Sequence, residues 1–245
     1  MTNRAGTPII SLYIQVPGVG RKESGTTMKL SSLLKNLSYD VYGAAPEAEV
    51  KDIVYDSRKA KKGTVFVCLI GAETDGHRYA RAALEQGCRM FVVQKGSEET
   101  ADLPIGQKGY KDLTMITVEK SRHALALMSD IFFSHPSGDV KVIGITGTKG
   151  KTTTTYILQT MLNGIGVKTG IIGTNGASYG TTHLQTVNTT PESYEIQKIL
   201  REMADNGVEA VAMEVSSIGV QWHRVDGVEF FCGMFTNISP DHIGG

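Results

Sequence analysis

Hydrophobic and polar residues alternate along this chain in blocks that predict strands and helices in turn. Short apolar runs such as TVFVCLIG at 64–71 and VEAVAMEV at 208–215 are typical of buried strands. Apolar residues at three- and four-residue spacing indicate amphipathic helices. The first such helix is marked by Leu30, Leu33, Leu34 and Leu37. Strands alternating with helices predict an α/β fold with mostly parallel sheets, which bind ligands at the carboxyl ends of their strands.

The same pattern predicts the remaining elements. Further strands are expected at 88–95, 113–118, 140–146, 168–174 and 229–238. A loop is expected at 96–112, and helices are expected over 78–86 and on a face with Leu125, Met128 and Phe132. Another helix should pack through Ile157, Leu158, Met161 and Leu162. A last helix, capped by Thr190 with Pro191 at its first position, should pack through Ile196, Ile199, Leu200 and Met203.

Composition divides the chain into a leader and two domains. Residues 1–27 contain a polar, glycine-containing stretch and are predicted to be a disordered leader, since the helical pattern begins only at Met28. The stretch SHPSGD at 134–139 combines proline, glycine and small polar residues, which is typical of a domain boundary. We therefore predict domains at 28–135 and 140–245. The second is expected to be incomplete because the sequence stops just after a strand.

Charge and cysteine content exclude several kinds of partner. The 25 basic and 25 acidic residues balance, so no general field favours nucleic acid or a membrane surface. The three cysteines, Cys68, Cys88 and Cys232, lie far apart in apolar runs, which is typical of a reducing compartment. The apolar run at 9–16 is too short for a secretory signal or a membrane span. We expect a cytoplasmic protein.

The stretch VIGITGTKGKT at 142–152 has the chemistry of a phosphate-binding loop, although its glycine spacing differs from the common G-x-x-x-x-G-K-[ST] pattern. Gly147 and Gly150 allow backbone N–H groups to turn inward. Lys151 supplies a positive charge at the start of a helix, and Thr152 offers a hydroxyl for Mg²⁺. The sequence therefore predicts a nucleotide phosphate site at this junction of strand and helix.

Several motifs, in order, resemble the Mur ligase family. TGTKGKTTTT is similar to the ATP loop of that family, which has this shorter spacing. YDSRKAKKGTVFVCLIGAETDGHRYARAALEQG at 55–87 resembles a block of the UDP-N-acetylmuramoyl-tripeptide synthetases, the members that add the third residue. NTTPE, AMEVSSIGVQWHRV and FTNISPDHIG resemble three more blocks. The resemblance covers about residues 28–245.

The resemblance implies the following site residues. ATP would be held by Gly147, Thr148, Lys149, Gly150, Lys151, Thr152 and Thr153. Catalysis would rest on Lys151, Glu214 and His242, and Mg²⁺ would be held by Thr152, Glu214 and His242. The UDP-linked substrate would contact Tyr55, Ser57, Ala72, Glu73, Thr74, Asn188, Thr189, Thr190, Ser216, Trp222 and Arg224.

The implied activity is an ATP-dependent amide ligase of cytoplasmic peptidoglycan precursor synthesis. It would add diaminopimelate or lysine to UDP-MurNAc-L-Ala-D-Glu through an acyl phosphate, with 28–135 binding the UDP-sugar and 140–245 binding ATP. We expect a monomer. Because the C-terminal domain of the family is missing from the sequence, we expect a fragment that is inactive alone.

Two alternatives stay open: a related Mur-type ligase and a non-catalytic nucleotide-binding module. Among related ligases, the block at 56–77 argues against a folylpolyglutamate synthetase and leaves the D-Ala-D-Ala-adding enzyme.

The sequence departs from the family at Lys149, where asparagine is usual, at Ile218, where histidine is common, and at Trp222, where a polar residue is common. The last two affect the expected substrate contacts.

Overall fold

The structure, a computed structural model, describes residues 27–239 and contains three β-sheets, of two, five and six strands, flanked by helices. Residues 1–26 of the predicted leader and the predicted metal ligand His242 lie outside the described residues. The mixed α/β architecture confirms the predicted fold class. We call residues 27–135 the N-terminal lobe and residues 140–239 the C-terminal lobe; the predicted domain boundaries themselves stay a prediction.

The N-terminal lobe is built on a five-stranded sheet with the order β2-β7-β6-β5-β4. Strands β4 to β7 run parallel, and β2 pairs antiparallel with β7 at the edge. The strands of the lobe are β1 (Met28–Lys29), β2 (Tyr39–Gly43), β3 (Glu49–Val50), β4 (Asp52–Val54), β5 (Thr64–Val67), β6 (Met90–Gln94) and β7 (Thr114–Val118). Its α-helices are α1 (Leu30–Leu33), α2 (Ala80–Glu85), α3 (Glu98–Ala101) and α4 (Ser121–Phe132).

Apolar side chains bury both faces of the parallel strands in this lobe. Leu30, Leu33 and Leu34 of the first predicted helix are fully buried beside α4. Phe66 and Phe91 lie on the opposite face of the sheet, with ring centroids 6.2 Å apart. The strands β2 and β4 and the short helix α3 were not predicted, because their sequences are too short or too polar to show a clear period.

The C-terminal lobe contains a six-stranded sheet with the order β11-β10-β9-β12-β8-β13. Strands β9, β12, β8 and β13 are parallel, while β10 and β11 extend the sheet as an antiparallel hairpin. Its strands are β8 (Lys141–Thr146), β9 (Thr169–Gly173), β10 (Gly176–Tyr179), β11 (Thr182–Leu184), β12 (Ala210–Glu214) and β13 (Phe230–Phe235). Its α-helices are α5 (Lys151–Gly164), α6 (Ser193–Asp205) and α7 (Ser217–Gln221).

The strand order decides which residues meet. Because β12 lies between β8 and β9, Glu214 at the end of β12 is placed beside the loop that follows β8. The residue that follows β9, Thr174, reaches the same point from the other side. The carboxyl ends of these parallel strands therefore form one edge that can carry a site.

Two predictions about helices were wrong in detail. Helix α5 turns Thr155 to the sheet. Of the predicted apolar face, Leu158 and Leu162 are half-buried, while Ile157 and Met161 are 52% and 64% exposed, so only half of that face was predicted correctly. Helix α6 begins at Ser193 after Glu192, without a side-chain cap from Thr190, whose hydroxyl is used inside the core instead. The predicted core face of α6 was correct, since its four apolar residues are buried.

The two lobes touch through polar and aromatic side chains beside the packed helices α4 and α6. The Tyr194 hydroxyl donates to Asp52 Oδ1 at 2.7 Å, and the Tyr55 hydroxyl donates to Glu195. The rings of Phe133 and Tyr194 meet edge to face, with centroids 5.2 Å apart.

Among the described helices, none combines the length and the apolar character that a membrane crossing requires.

Candidate phosphate and substrate site

The loop between β8 and α5 requires glycine at Gly147. Its φ of +135° is rare for residues with a side chain. A Cβ at this position would lie 2.2 Å from Thr236 Oγ1 and 2.8 Å from the carbonyl oxygen of Asn237. The loop is therefore pressed against the segment that follows β13, and only glycine leaves room for that contact.

Hydrogen bonds fix the loop to that segment. The Thr148 N–H donates to Asn237 O at 3.0 Å, and the Lys149 N–H donates to Asn237 Oδ1 at 3.1 Å. The Thr236 hydroxyl donates to Lys149 O at 2.7 Å, and the Ser239 N–H donates to Thr148 Oγ1 at 2.9 Å. Thr236, Asn237 and Ser239 lie in the stretch FTNISPDHIG that resembles the family, but none of them was predicted as a site residue.

Lys151 begins helix α5 and folds back over the loop. Its ammonium donates to Gly147 O at 2.6 Å and to Thr148 O at 3.2 Å. Gly150 precedes the helix in the left-handed conformation, with φ 86° and ψ −1°. The loop thus presents an ammonium group and the positive end of a 14-residue helix at one place, which favours an anionic group there.

A buried carboxylate faces the first turn of this helix. Glu214 is 1% exposed, and its Oε2 accepts a hydrogen bond from the Thr152 hydroxyl at 2.9 Å. Thr174 donates to the same carboxylate through its N–H at 3.0 Å and its hydroxyl at 3.1 Å. Gly173 makes the approach possible, since a Cβ there would lie 2.2 Å from Glu214 Oε1. Thr174 was not predicted as a site residue, because its part in the site depends on strand order.

A cleft of about 770 Å³ joins the loop and the carboxylate. Of the predicted site residues, it is lined by Gly147, Thr148, Gly150, Lys151, Thr152, Thr189, Glu214 and Ser216. Thr153 lies on the exposed side of α5 and is not part of the lining. Ile218, which departs from the family pattern, also lines the cleft and is 56% exposed.

Thr190 is fully buried behind this cleft and ties β12 to the residues that follow it. Its hydroxyl donates to Glu214 O at 3.1 Å and accepts from the Ser216 N–H at 2.9 Å. Ser216 in turn caps α7, accepting from the Gly219 N–H at 3.0 Å. Thr190 therefore holds the backbone of the site in place.

A second cleft, of about 520 Å³, lies on the N-terminal lobe at the junction with α6. Its lining includes Tyr55, Ser57 and Thr74 of the predicted substrate residues. Ala72 and Glu73 are exposed in the same turn and do not line it. The neighbouring Asp56 caps the turn, accepting from the Arg58 N–H at 3.0 Å and forming an ion pair with its guanidinium.

Two arginines from different lobes share one carboxylate at the edge of this second cleft. Glu192 accepts from Arg122 Nη1 at 2.9 Å and from Arg224 Nε at 2.9 Å. Arg224 is 8% exposed and also donates to Thr190 O at 3.0 Å. Both guanidinium groups lie over the ring of Trp222, at 4.2 Å for Arg122 and 5.7 Å for Arg224. Glu192 and Arg122, which complete this cluster, were not predicted as site residues.

A third cleft, of about 500 Å³, opens between the lobes and contains Asn188 with Tyr55, Glu192 and Glu195. Burial raises the pKa of the Glu195 carboxyl above its ordinary value, although the hydrogen bond from Tyr55 acts in the opposite direction. Burial and the neighbouring Glu195 charge raise the pKa of the Tyr55 hydroxyl as well. Tyr55 therefore contacts both the second and the third cleft and joins them.

The parallel sheet, the glycine loop that opens a helix, and the carboxylate facing that helix define a protein with a phosphate-binding loop. Family comparison gives the same result in more detail. Residues 145–245 match the Mur ligase middle domain, and residues 49–133 match the Mur ligase family catalytic domain. The chain belongs to the Mur ligase family.

Relatives and solved structures are consistent with this assignment. The chain is 42% identical over 216 residues to a Clostridium botulinum protein named UDP-N-acetylmuramoyl-L-alanyl-D-glutamate--2,6-diaminopimelate ligase, and 40% identical to the Clostridium tetani protein of the same name. Each alignment covers 88% of this chain and 43% of the relative. The chain thus spans less than half the length of these relatives.

Two solved structures share the fold. One, described as a UDP-N-acetylmuramoyl-L-alanyl-D-glutamate--2,6-diaminopimelate ligase, superimposes with a TM-score of 0.69 at 19% identity and covers 89% of this chain and 42% of that one. The other, MurF from Acinetobacter baumannii, has a TM-score of 0.58 at 22% identity and covers 91% and 43%. At these identities the structures establish the fold alone.

Proposed function

We propose that this chain carries the ATP-binding and UDP-substrate-binding parts of a cytoplasmic amide ligase of peptidoglycan precursor synthesis. The reaction would join diaminopimelate to UDP-N-acetylmuramoyl-L-alanyl-D-glutamate at the expense of ATP. The observation that carries this proposal is the contact between the Thr152 hydroxyl and the buried Glu214 carboxylate beside the glycine loop. Family membership and the printed names of the relatives support the choice of substrates.

The residues around the loop fit the phosphates of ATP. Gly147 keeps the loop free of a side chain, and Lys151 places its ammonium over the loop at hydrogen-bond distance from two carbonyl groups. In the bound state Lys151 would turn to the β- and γ-phosphates and neutralise charge as the γ-phosphoryl group is transferred. Thr148, Lys149, Gly150 and Thr153 would surround the phosphates, mainly through their backbone.

The residues also fit Mg²⁺. A hydroxyl and a carboxylate are hard oxygen ligands of the kind that Mg²⁺ binds in nucleotide sites. Thr152 and Glu214 already hold their oxygens 2.9 Å apart, and Thr174 orients the carboxylate through two hydrogen bonds. The ion would supply charge neutralisation at the phosphates. His242 is proposed as a ligand of a second ion on the resemblance alone.

The UDP-linked substrate would extend from the second cleft across the lobe junction to the loop. Ser57 and Thr74 would contact the uridine side together with Tyr55, Ala72 and Glu73. Asn188 and Thr189 would lie along the muramoyl-peptide part, with Ser216 near its reacting end, whereas the buried Thr190 would support their backbone and not contact the substrate. Arg224 and Trp222 would act together with Glu192, since the guanidinium of Arg224 is held by that carboxylate.

The reaction needs a carboxylate, a phosphoryl donor and an amine. The terminal carboxylate of the substrate would attack the γ-phosphorus of ATP, giving an acyl phosphate and ADP. The amine of diaminopimelate would then attack the acyl carbon and release phosphate. A solved structure that shares this fold at 20% identity is described as Thermotoga maritima MurF ligase in complex with ADP.

Titration calorimetry of the chain with ATP, in the presence and absence of Mg²⁺, tests the proposal. We expect Mg²⁺-dependent binding that Lys151→Ala weakens by at least about tenfold, or about 1.4 kcal/mol. Lys35→Ala serves as the matched control, because Lys35 is an exposed lysine of the N-terminal lobe. This variant should bind ATP with the affinity of the parent chain. Equal affinity in the two lysine variants would refute the assignment of the loop.

A second titration with UDP-N-acetylmuramoyl-L-alanyl-D-glutamate separates a ligase from a nucleotide-binding module. We expect binding that Ser57→Ala weakens, while ATP binding stays unchanged. A chain that binds ATP and shows no affinity for the UDP-linked dipeptide would support the non-catalytic module instead. To decide whether lysine or diaminopimelate is added, phosphate release would be measured with each amino acid in turn, using a protein of the relatives' full length.

A further inference from the structure

A cluster of two histidines and one aspartate joins the lobes outside the clefts described above. His123 lies on α4 of the N-terminal lobe, while His223 and Asp226 follow α7 of the C-terminal lobe. His123 Nδ1 donates to Asp226 Oδ2 at 2.6 Å, and His223 Nδ1 donates to the same oxygen at 2.7 Å. The two imidazole rings are 5.7 Å apart between centroids. Two lobes therefore direct ring nitrogens at one carboxylate oxygen.

The three side chains have the spacing of a metal site. One ligand atom from each lies within 4.8 Å of the others, and no other group of histidine, cysteine, aspartate or glutamate side chains among residues 27–239 does so. Ligand atoms around one tetrahedral zinc ion lie about 3.3 Å apart, given bonds of about 2.0 to 2.1 Å. Small rotations of the side chains would therefore open the hydrogen-bonded cluster enough to admit one ion.

The surroundings leave room for water at the remaining coordination position. The side chains of His123, His223 and Asp226 are 44%, 27% and 24% exposed. Solvent thus reaches the cluster, while the lobes hold its members in place. His223 has a left-handed backbone, with φ 56°, and its N–H donates to Val220 O at 3.0 Å, which fixes the residue at the end of α7.

The ligand types select the ion. Two imidazole nitrogens and one carboxylate suit Zn²⁺ and its neighbours in the transition series, whereas Mg²⁺ prefers oxygen ligands alone. We propose that His123, His223 and Asp226 form a zinc site that links the two lobes. The site is separate from the Thr152–Glu214 pair, and the proposal does not rest on the ligase function.

The ammonium of Lys120 competes with the ion for the imidazole of His223. Its Nζ lies 3.4 Å from His223 Nε2, and an ammonium can only donate, so Nε2 accepts and the ring proton stays on Nδ1. To bind zinc through Nδ1, His223 must move this proton to Nε2, and the exposed Lys120 must turn away into solvent. Removal of the ammonium should therefore strengthen zinc binding.

Cobalt titration followed by visible absorption tests the site, with Mg²⁺ present in excess and Zn²⁺ added as competitor. We expect one equivalent of Co²⁺ with a tetrahedral absorption band that Zn²⁺ abolishes. His123→Gln should weaken binding by at least about tenfold, the lower end of what the loss of an outer-shell partner costs a metal site. Lys120→Met should tighten it.

His135→Gln is the matched control. His135 Nδ1 lies 2.7 Å from Asp130 Oδ2, so it forms a histidine–carboxylate pair with no second histidine in the cluster, and its loss should leave Co²⁺ binding unchanged. If His123→Gln is misfolded by circular dichroism, Asp226→Asn replaces it, and the opposite effect of Lys120→Met remains measurable. No tetrahedral band in the parent chain, or equal losses in His123→Gln and His135→Gln, would overturn the proposal.

Discussion

Gly147→Ala is the substitution that best tests how the phosphate loop is held. The added Cβ would lie 2.2 Å from Thr236 Oγ1, whereas ordinary contacts begin near 3.4 Å, so one of the two must move by about 1.2 Å. Four hydrogen bonds join Thr148 and Lys149 of the loop to Thr236 and Asn237 beside this contact. Gly150→Ala is a matched control, because Gly150 also has a positive φ of 86° but has nothing within 4 Å of an added Cβ.

The two substitutions should lower the free energy of unfolding by different amounts. Left-handed backbone costs alanine about 1–2 kcal/mol in both cases. Gly147→Ala should also lose these four hydrogen bonds, worth about 1 kcal/mol each, so its cost should reach about 5 kcal/mol of unfolding free energy. Gly150→Ala should cost about 1 kcal/mol.

Urea unfolding and ATP titration together distinguish these expectations. We expect Gly147→Ala to lower the unfolding midpoint clearly and to weaken ATP binding by more than about tenfold, since its loop amides are displaced. Gly150→Ala should keep most of the affinity. If the two variants have the same midpoint and the same affinity, the contact between the loop and the segment after β13 does not determine the shape of the loop.

Four further substitutions test other parts of the molecule. Glu214→Gln retains an acceptor for the Thr174 N–H and removes the charge, so ATP binding should fall about 10–100-fold with Mg²⁺ and stay unchanged with a chelator; an equal fall in both titrations would exclude a metal ligand. Glu192→Gln removes the counter-charge of the Arg122 and Arg224 guanidinium groups, which are 15% and 9% exposed, and should lower the free energy of unfolding in urea by about 3 kcal/mol. Arg122→Met should lower it by less, because Glu192 still forms its ion pair with Arg224. Glu195 has a raised pKa in the folded chain, so its contribution to stability is complete below its ordinary value of 4.5 and is lost as the pH rises through the raised pKa. Relative to the parent chain, Glu195→Gln should therefore gain unfolding free energy from acidic to neutral pH, and parallel stability curves would contradict this.

The parts of the fold that were predicted correctly are those set by local pattern. Apolar runs such as that ending in Glu214 identify buried strands, because in a parallel sheet both faces of a strand are covered. The glycine loop was recognisable for a similar reason, since its chemistry is contained within a few consecutive residues. Lys151 and Thr152 accordingly lie where the sequence placed them, at the start of α5.

The parts that were missed depend on tertiary arrangement. Thr174 joins Glu214 only because β9 lies next to β12, and the order of strands cannot be inferred from either segment alone. The apolar residues of α5 have helical spacing, yet Ile157 and Met161 are exposed and the fully buried residue is Thr155, since the sheet below the helix determines which face is buried. Thr190 has the type and position of a helix cap, but its hydroxyl bonds Glu214 O and the Ser216 N–H instead.

Because the Lys151 ammonium is already hydrogen-bonded to carbonyl oxygens of its own loop, an anion that binds to it must replace those hydrogen bonds. The ammonium already satisfies two carbonyl groups, at 2.6 Å and 3.2 Å, so a phosphate must replace contacts that exist before it arrives. The measured affinity then reports the difference between two bonded arrangements and understates the strength of the final one. The same two hydrogen bonds also fix the position of the lysine, so its side chain loses little further rotational freedom when an anion binds.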